Sequence, residues 1–284
     1  MIRAAVLGAD VSKSRSPAIH NAAYRVLEIE GRFEAISVDD VAFRETVLGL
    51  GQLGYLYVNV TIPQKAAAAS LATTRSAAVR ASGAANTLIF EPGEPSAIHA
   101  ENTDGYGLLA ALGDLGAQAG GVDVVLVGAG GAAAGALEAL TAAGAHVRIV
   151  ARRAEAMRAL IDQLPDKRRR LVQTYSWADG GLASALPGAR ILISSVPAGV
   201  WENPDATLGM TAIGRDTAVL EMAYGVRGGS ALARAVRGRV ARYADGLGML
   251  VHQATRAIEL ALGESPPLAP LLTAARVAQA SGER

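Results

Sequence analysis

Lysine is scarce in this chain: Lys13, Lys65 and Lys167 stand against 24 arginines. Where arginine supplies the generic positive charge, a surviving lysine points to proton transfer, which a guanidinium cannot perform near neutral pH. Lys65, in Thr61-Ile-Pro-Gln-Lys65, and Asp104, in Asn102-Thr-Asp104-Gly, form an ammonium and carboxylate pair. Such a pair can protonate the alkoxide left when a hydride reaches a carbonyl. A structural ion pair is the other reading of the same two residues. Ser14 and Ser16, two apart before Pro17, can offer hydroxyls and amides to a carboxylate at the positive end of a helix dipole, or one of them can cap that helix. Asn86, just after Gly83-Ala-Ala, can both donate to and accept from hydroxyls of a ligand, or cap a turn.

A different chemistry is written further along. The apolar run Val122-Asp-Val-Val-Leu-Val is followed by Gly128-Ala129-Gly130-Gly131-Ala132-Ala133 and a helical stretch. In that context the first glycine permits a tight turn, the second lets a pyrophosphate approach the backbone, and the helix aims free N–H groups at it. A tight loop that binds nothing is the bland alternative. The second strand of the unit, His146 to Val150, ends at Ala151, where an NAD-binding chain would place an acid for the ribose 2′-hydroxyl. Arg152 and Arg153 follow, and guanidinium groups suit the 2′-phosphate of NADP unless they are merely solvated at a helix start.

The elements that must carry these residues read as α/β throughout. Strands are expected at residues 3–8, 33–38, 55–60 and 85–90, with helices at 16–27, 41–50 and 64–72 and a hairpin tip at Glu91-Pro-Gly-Glu-Pro95. The βαβ unit starting at Val122 continues with strands at 189–194 and 218–222, and the pattern turns helical from Asp245. This alternation predicts two domains. Residues 1–107, completed by returning helices 239–284, form an N-terminal α/β domain with a mostly parallel sheet that holds the substrate. Residues 108–238 form a Rossmann domain that holds NADP, with the cleft between the two.

Composition removes several classes. The chain of 284 residues has a formal net charge of +1, with 51% hydrophobic and 19% charged residues, which describes a globular protein and argues against nucleic acid as a partner. Its middle segment is mildly basic. Cysteine is absent, which excludes disulfides and thiolate chemistry, and the four histidines are scattered, so no metal site is expected. No apolar run is long enough to span a bilayer and no signal-peptide pattern follows Met1, so no membrane partner and a cytoplasmic address are expected.

Six ordered segments resemble the shikimate dehydrogenase family along essentially the whole chain. They are Gly8 to Pro17, Val58-Asn-Val-Thr61-Ile-Pro-Gln-Lys65, Gly83-Ala-Ala-Asn86-Thr, Asn102-Thr-Asp104-Gly, Gly128-Ala-Gly-Gly-Ala132 and Asp245-Gly-Leu-Gly-Met-Leu-Val-His-Gln253. The resemblance implies reversible, NADP-dependent reduction of 3-dehydroshikimate to shikimate in the chorismate pathway. It makes Lys65 the catalytic acid/base and Asp104 the residue that positions it. It also implies a substrate carboxylate on Ser14 and Ser16, with Thr61, Asn86, Tyr224 and Gln253 lining the rest of the substrate site. A small-molecule substrate is the implied partner, with a homodimer left open. The chain departs from the family pattern at Lys13 (usually histidine), at Asp10-Val-Ser12, at Thr73 to Ser76, at Ser194-Ser-Val-Pro-Ala-Gly199, at Glu221, and at Ala151 and Arg153. These departures leave quinate or an aminoshikimate as alternative substrates. A non-catalytic sensor of NADP or a ring acid is the alternative outside enzymes.

Overall fold

The computed structural model describes residues 1–178, 180–204, 209–226 and 229–282. The chain divides into two compact units, Met1–Gly107 with Leu250–Arg284, and Leu108–Met249.

In the first unit the order is β1 (Ile2–Gly8), α1 (Ser16–Val26), β2 (Gly31–Ser37), α2 (Phe43–Gln52), β3 (Tyr57–Val60), α3 (Lys65–Leu71), β4 (Thr74–Arg75), α4 (Ala77–Ser82), β5 (Thr87–Glu91) and β6 (Glu94–Glu101), followed by α5 (Asp104–Asp114), which crosses into the second unit. Their sheet runs β2-β1-β3-β5-β6-β4, parallel except that β5 lies antiparallel to β3 and β6. The β5–β6 hairpin turns at Glu91 to Glu94, as the Pro-Gly pair predicts. The segment 73–82 carries β4 and α4, which the sequence reading did not anticipate, being too short for a periodic signal. Their signals are the caps: the Ser76 hydroxyl accepts from the Val79 amide, and Gly83 closes α4 in the left-handed conformation at φ 64°.

The second unit contains β7 (Asp123–Val127), α6 (Gly131–Ala142), β8 (His146–Ala151), α7 (Ala154–Gln163), α8 (Asp166–Arg169), β9 (Val172–Ser176), α9 (Gly181–Ala185), β10 (Ile191–Ser194), β11 (Ala218–Glu221), α10 (Ala231–Val236) and β12 (Arg242–Ala244). All its pairings are parallel, in the order β12-β11-β10-β7-β8-β9, the doubly wound arrangement. The edge strands β9 and β12 escaped the sequence reading because neither is buried enough to show an apolar run. Pairing of β12 with β11 also keeps residues 239–249 in this unit, so the chain returns at Leu250 rather than at residue 239. It returns within α11 (Leu247–Leu262) and ends in α12 (Leu268–Gly282), whose principal neighbour is α1. Among the described residues no helix is long and apolar enough to cross a membrane.

The core beneath α1 holds three titratable side chains. His20 is fully buried, stacked on Phe33 at 3.9 Å between ring centres, with Nδ1 2.7 Å from the Tyr57 hydroxyl, which in turn lies 2.7 Å from that of Tyr24. Burial pushes the His20 imidazole down to about 3 and the Tyr24 phenol up to about 12. The unfolded chain protonates this imidazole near 6.5 and the folded chain only near 3, so the contribution of His20 is complete above pH 6.5 and is lost as pH falls toward 3. In urea unfolding between pH 6.5 and 4, the stability of the parent should therefore fall about 1.4 kcal/mol per pH unit faster than that of His20→Leu. Parallel pH profiles would show that His20 does not stay neutral in the fold.

Candidate active site

The carboxyl ends of the parallel neighbours β1 and β3 carry the first group of polar residues. The backbone leaves β3 at Thr61, whose amide donates to Leu7 O at 2.8 Å. Gly8 has to be glycine here, because a Cβ would collide with Thr61 Cγ2 and Val11. Gln64 precedes α3 and is buried; its amide nitrogen donates to Val38 O at 3.1 Å and Asp40 Oδ1 at 3.0 Å. Lys65, the first residue of α3, is thereby held, and its own carbonyl accepts from the Ala85 amide at 2.9 Å. That last bond ties the start of α3 to the segment carrying Asn86.

Asp104 opens α5, its amide donating to Asn102 Oδ1 at 3.1 Å while the Asn102 side chain donates to Ala84 O at 2.9 Å. The carboxylate then faces two donors. Lys65 Nζ lies 2.5 Å from Oδ2, with the two side chains 12% and 10% exposed, and Asn86 Nδ2 lies 2.8 Å from Oδ1. The oxygen of Asn86 accepts from the Thr103 amide at 2.8 Å, and its nitrogen is 3.2 Å from Gln253 Oε1, which α11 returns to this unit. Four of the residues singled out by sequence, Lys65, Asp104, Asn86 and Gln253, thus form one hydrogen-bonded group. An ammonium has three donors. The pair with Asp104 uses one, which leaves capacity to hold and protonate an oxygen anion.

Ser14 and Ser16 lead into α1 beyond β1. The Ser14 hydroxyl accepts from the Ser16 amide at 3.2 Å, so its own O–H is still able to donate, and Ser16 is buried. The N-cap position is Arg15, without a side-chain capping bond, so neither serine occupies it. Asn59 escaped the sequence reading. It lies in the fully buried β3, where its nitrogen donates to Thr87 Oγ1 at 2.9 Å while its Oδ1 has no partner among the described residues. An amide inside an otherwise apolar strand was the available signal.

The second unit holds Tyr224, half-buried beside a cavity of about 430 Å³ whose lining includes Glu221, Ser230 and Tyr243. Glu221 is buried and accepts at Oε2 from the Ser230 hydroxyl and, at 2.8 Å, from Tyr243. Burial first, and this bond second, push the Tyr243 phenol up.

A second cavity of the same unit, about 200 Å³, lies at the carboxyl ends of β7 and β8, lined by Gly128, Ala129, Gly130, Arg152, Arg153, Trp177 and Ser195 among others. Gly128 adopts φ +114°, and a Cβ there would collide with the Ser195 hydroxyl. A Cβ on Gly130 would meet nothing within 4 Å, so the approach a phosphate needs is open. Gly131 and Ala132 begin α6, where first-turn amides lack intrahelical acceptors, and the fully buried Ala133 lets α6 pack closely on the sheet. Arg152 and Arg153 are exposed beside the cavity, and Ala151 supplies no carboxylate. These residues fit a dinucleotide bearing a 2′-phosphate.

Comparison with known proteins agrees with both halves. Residues 6–88 match the shikimate dehydrogenase substrate-binding domain family, and residues 116–200 match an NAD(P)-binding family. The chain is 37% identical over 289 aligned residues to the shikimate dehydrogenase (NADP(+)) of Methylobacterium radiotolerans, covering 99% of this chain and 98% of that one. Among solved structures, the shikimate 5-dehydrogenase of Thermus thermophilus in complex with NADP(H) and shikimate is 28% identical with a TM-score of 0.83, covering 98% of this chain and all of that one. The Mycobacterium tuberculosis shikimate dehydrogenase is 31% identical, also at 0.83, covering 99% of this chain and all of that one.

The ion pair makes a prediction that needs no substrate. Removing one member of a largely buried pair leaves the other's charge without its partner, so Asp104→Ala should cost about 3 kcal/mol of unfolding free energy. Adding Lys65→Met should return about 1 kcal/mol or more, a coupling read from urea unfolding of the four-member mutant cycle. Simple additivity would mean that the two charges do not interact.

Proposed function

The chain belongs to the shikimate dehydrogenase family, and from this premise we propose that it catalyses the reversible, NADPH-dependent reduction of 3-dehydroshikimate to shikimate. The observation that carries the reading is the ion pair of Lys65 and Asp104, bound through Asn86 to Gln253.

When bound, NADPH supplies the hydride that converts the ring carbonyl carbon to a carbinol. Lys65 donates a proton to the carbonyl oxygen as negative charge builds there, so that neutral alcohol rather than alkoxide is formed. Asp104 holds the ammonium in place and takes a hydrogen bond from the ring hydroxyl beside the reacting carbon. In the reverse direction Lys65 accepts the alcohol proton. Asn86 and Gln253 bind ring hydroxyls, and Thr61 serves the same ring. Ser14 and Ser16 donate to the ring carboxylate, which fixes which face and which carbon meet the hydride. The family likeness assigns Tyr224 to the substrate as well. The loop Gly128–Ala132 and the start of α6 would hold the pyrophosphate, with Arg152 and Arg153 on the 2′-phosphate. Reduction by NADPH in a chain without cysteine suits the cytoplasm.

Following NADPH absorbance with 3-dehydroshikimate should show turnover, and kcat/KM in the oxidative direction should be higher for shikimate than for quinate. A folded protein that binds NADPH and leaves 3-dehydroshikimate unreduced would overturn the assignment. Lys65→Ala should lower kcat by about 10² to 10⁴ with KM for NADPH unchanged. Replacing Arg152 and Arg153 together by alanine should raise KM for NADPH by about tenfold or more and leave KM for NADH nearly untouched, because only the 2′-phosphate contacts are lost.

A further inference from the structure

The dinucleotide site has a wall that the phosphate contacts leave unused. With the pyrophosphate on the loop between β7 and α6, and the adenosine ribose at the end of β8 beside Arg152, the remaining part of the ligand on this side is the base. On the side of β8 away from β7 lies β9. The first residue after β9 is Trp177, which lines this cavity together with Gly128, Gly130, Arg152 and Arg153. Resting on the NADP reading above, we propose that Trp177 is the surface on which the adenine of the cofactor packs.

Three observations make the indole suited to that task. Its backbone amide donates to Ala151 O at 2.9 Å, which ties Trp177 to the strand end that presents Arg152 and Arg153. Its ring meets Trp201 edge-on, 5.8 Å between ring centres at 62°. Trp201 is itself fully buried and fixed by donating from Nε1 to Ser194 Oγ at 2.8 Å. One side of Trp177 is thus braced by a rigid partner while the residue as a whole stays half-buried. A braced aromatic loses little freedom on binding, and base-on-aromatic packing is among the stronger sequence-independent contacts to a nucleobase. Neither the phosphates nor the nicotinamide needs such a surface.

The test uses the full chain and adenosine 2′,5′-bisphosphate, which carries the base and the 2′-phosphate but no nicotinamide. Only Trp177 and Trp201 emit as tryptophans. Saturating ligand should quench the parent's emission, and the change should vanish in Trp177→Leu and in Trp177→Phe, where the buried Trp201 remains as an internal mark of the folded state. Trp177→Leu should weaken binding of adenosine 2′,5′-bisphosphate and raise KM for NADPH about tenfold each. Its kcat, its KM for 3-dehydroshikimate and its affinity for inorganic pyrophosphate should stay at the parent's values. Trp177→Phe should recover most of the affinity. Equal binding by parent and Trp177→Leu would overturn the proposal, as would an equal loss for pyrophosphate, since that would mean the loop itself had moved. A parent that neither binds the bisphosphate nor oxidises NADPH would instead sink the functional reading, and this one with it; a parent that does both while Trp177→Leu matches it rejects only the role of the indole.

Discussion

The Asp104 carboxylate is the constraint around which the first unit is arranged. A charge largely withdrawn from water must be met by hydrogen bonds and an opposite charge, or its burial costs more than the fold can spare. Here Lys65 meets one oxygen and Asn86 the other. Meeting them demands that α3 begin at Lys65, that the strand entering β5 bring Asn86 against Thr103, and that α5 start at Asp104 under the cap of Asn102. The Ala85 to Lys65 backbone bond closes this loop of dependencies without any side chain. Such a group is preorganised: the ammonium, its counter-ion and the neighbouring amides fix one another, so a ligand bound there need not order them.

Much of this was legible in the residues because local rules were obeyed. The apolar strand before Gly128, the glycines at the turn and the small residues of α6 agree with one another, and the observed β7-α6-β8 unit follows. Proline after Ser16 likewise marks the start of α1. What stayed hidden was either too short or too exposed. The two-residue β4 and the three-residue β12 carry no period, and β9 is polar because it lies at an edge. Missing β12 displaced the second domain boundary. Convergence was also invisible to local reasoning: Lys65 and Asp104 are 39 positions apart, and Asn86 and Gln253 are 167 apart. Residue type alone suggested Lys65, Asp104 and Asn86, while Gln253 came from the resemblance to a family, and none of the four came from spacing. Asn59 and Trp177 were passed over because a single polar residue in a strand and a single tryptophan both read as ordinary packing.

Where the chain departs from the family pattern, what each side chain touches decides what the departure changes. Ser194 accepts the Trp201 indole proton, and the Ser195 hydroxyl donates to Val127 O at 2.7 Å beside the turn at Gly128. Both hydroxyls are engaged in holding the second unit together, so their presence changes its bracing and adds no reacting group. Glu221 is longer than the usual aspartate, and its extra reach is taken up by Ser230 and Tyr243. Lys13 is exposed on the loop before Ser14, and Asp10 in the same loop accepts from both the amide and the hydroxyl of Ser12. At the cavity of the second unit the exchanges to Ala151 and Arg153 remove a neutral amide and add an exposed cation next to Arg152, a change that favours an anionic ligand there. None of these changes reaches the hydrogen-bonded group of Lys65, Asp104, Asn86 and Gln253. The geometry of the Lys65 and Asp104 pair is therefore held by bonds that no substituted residue contributes.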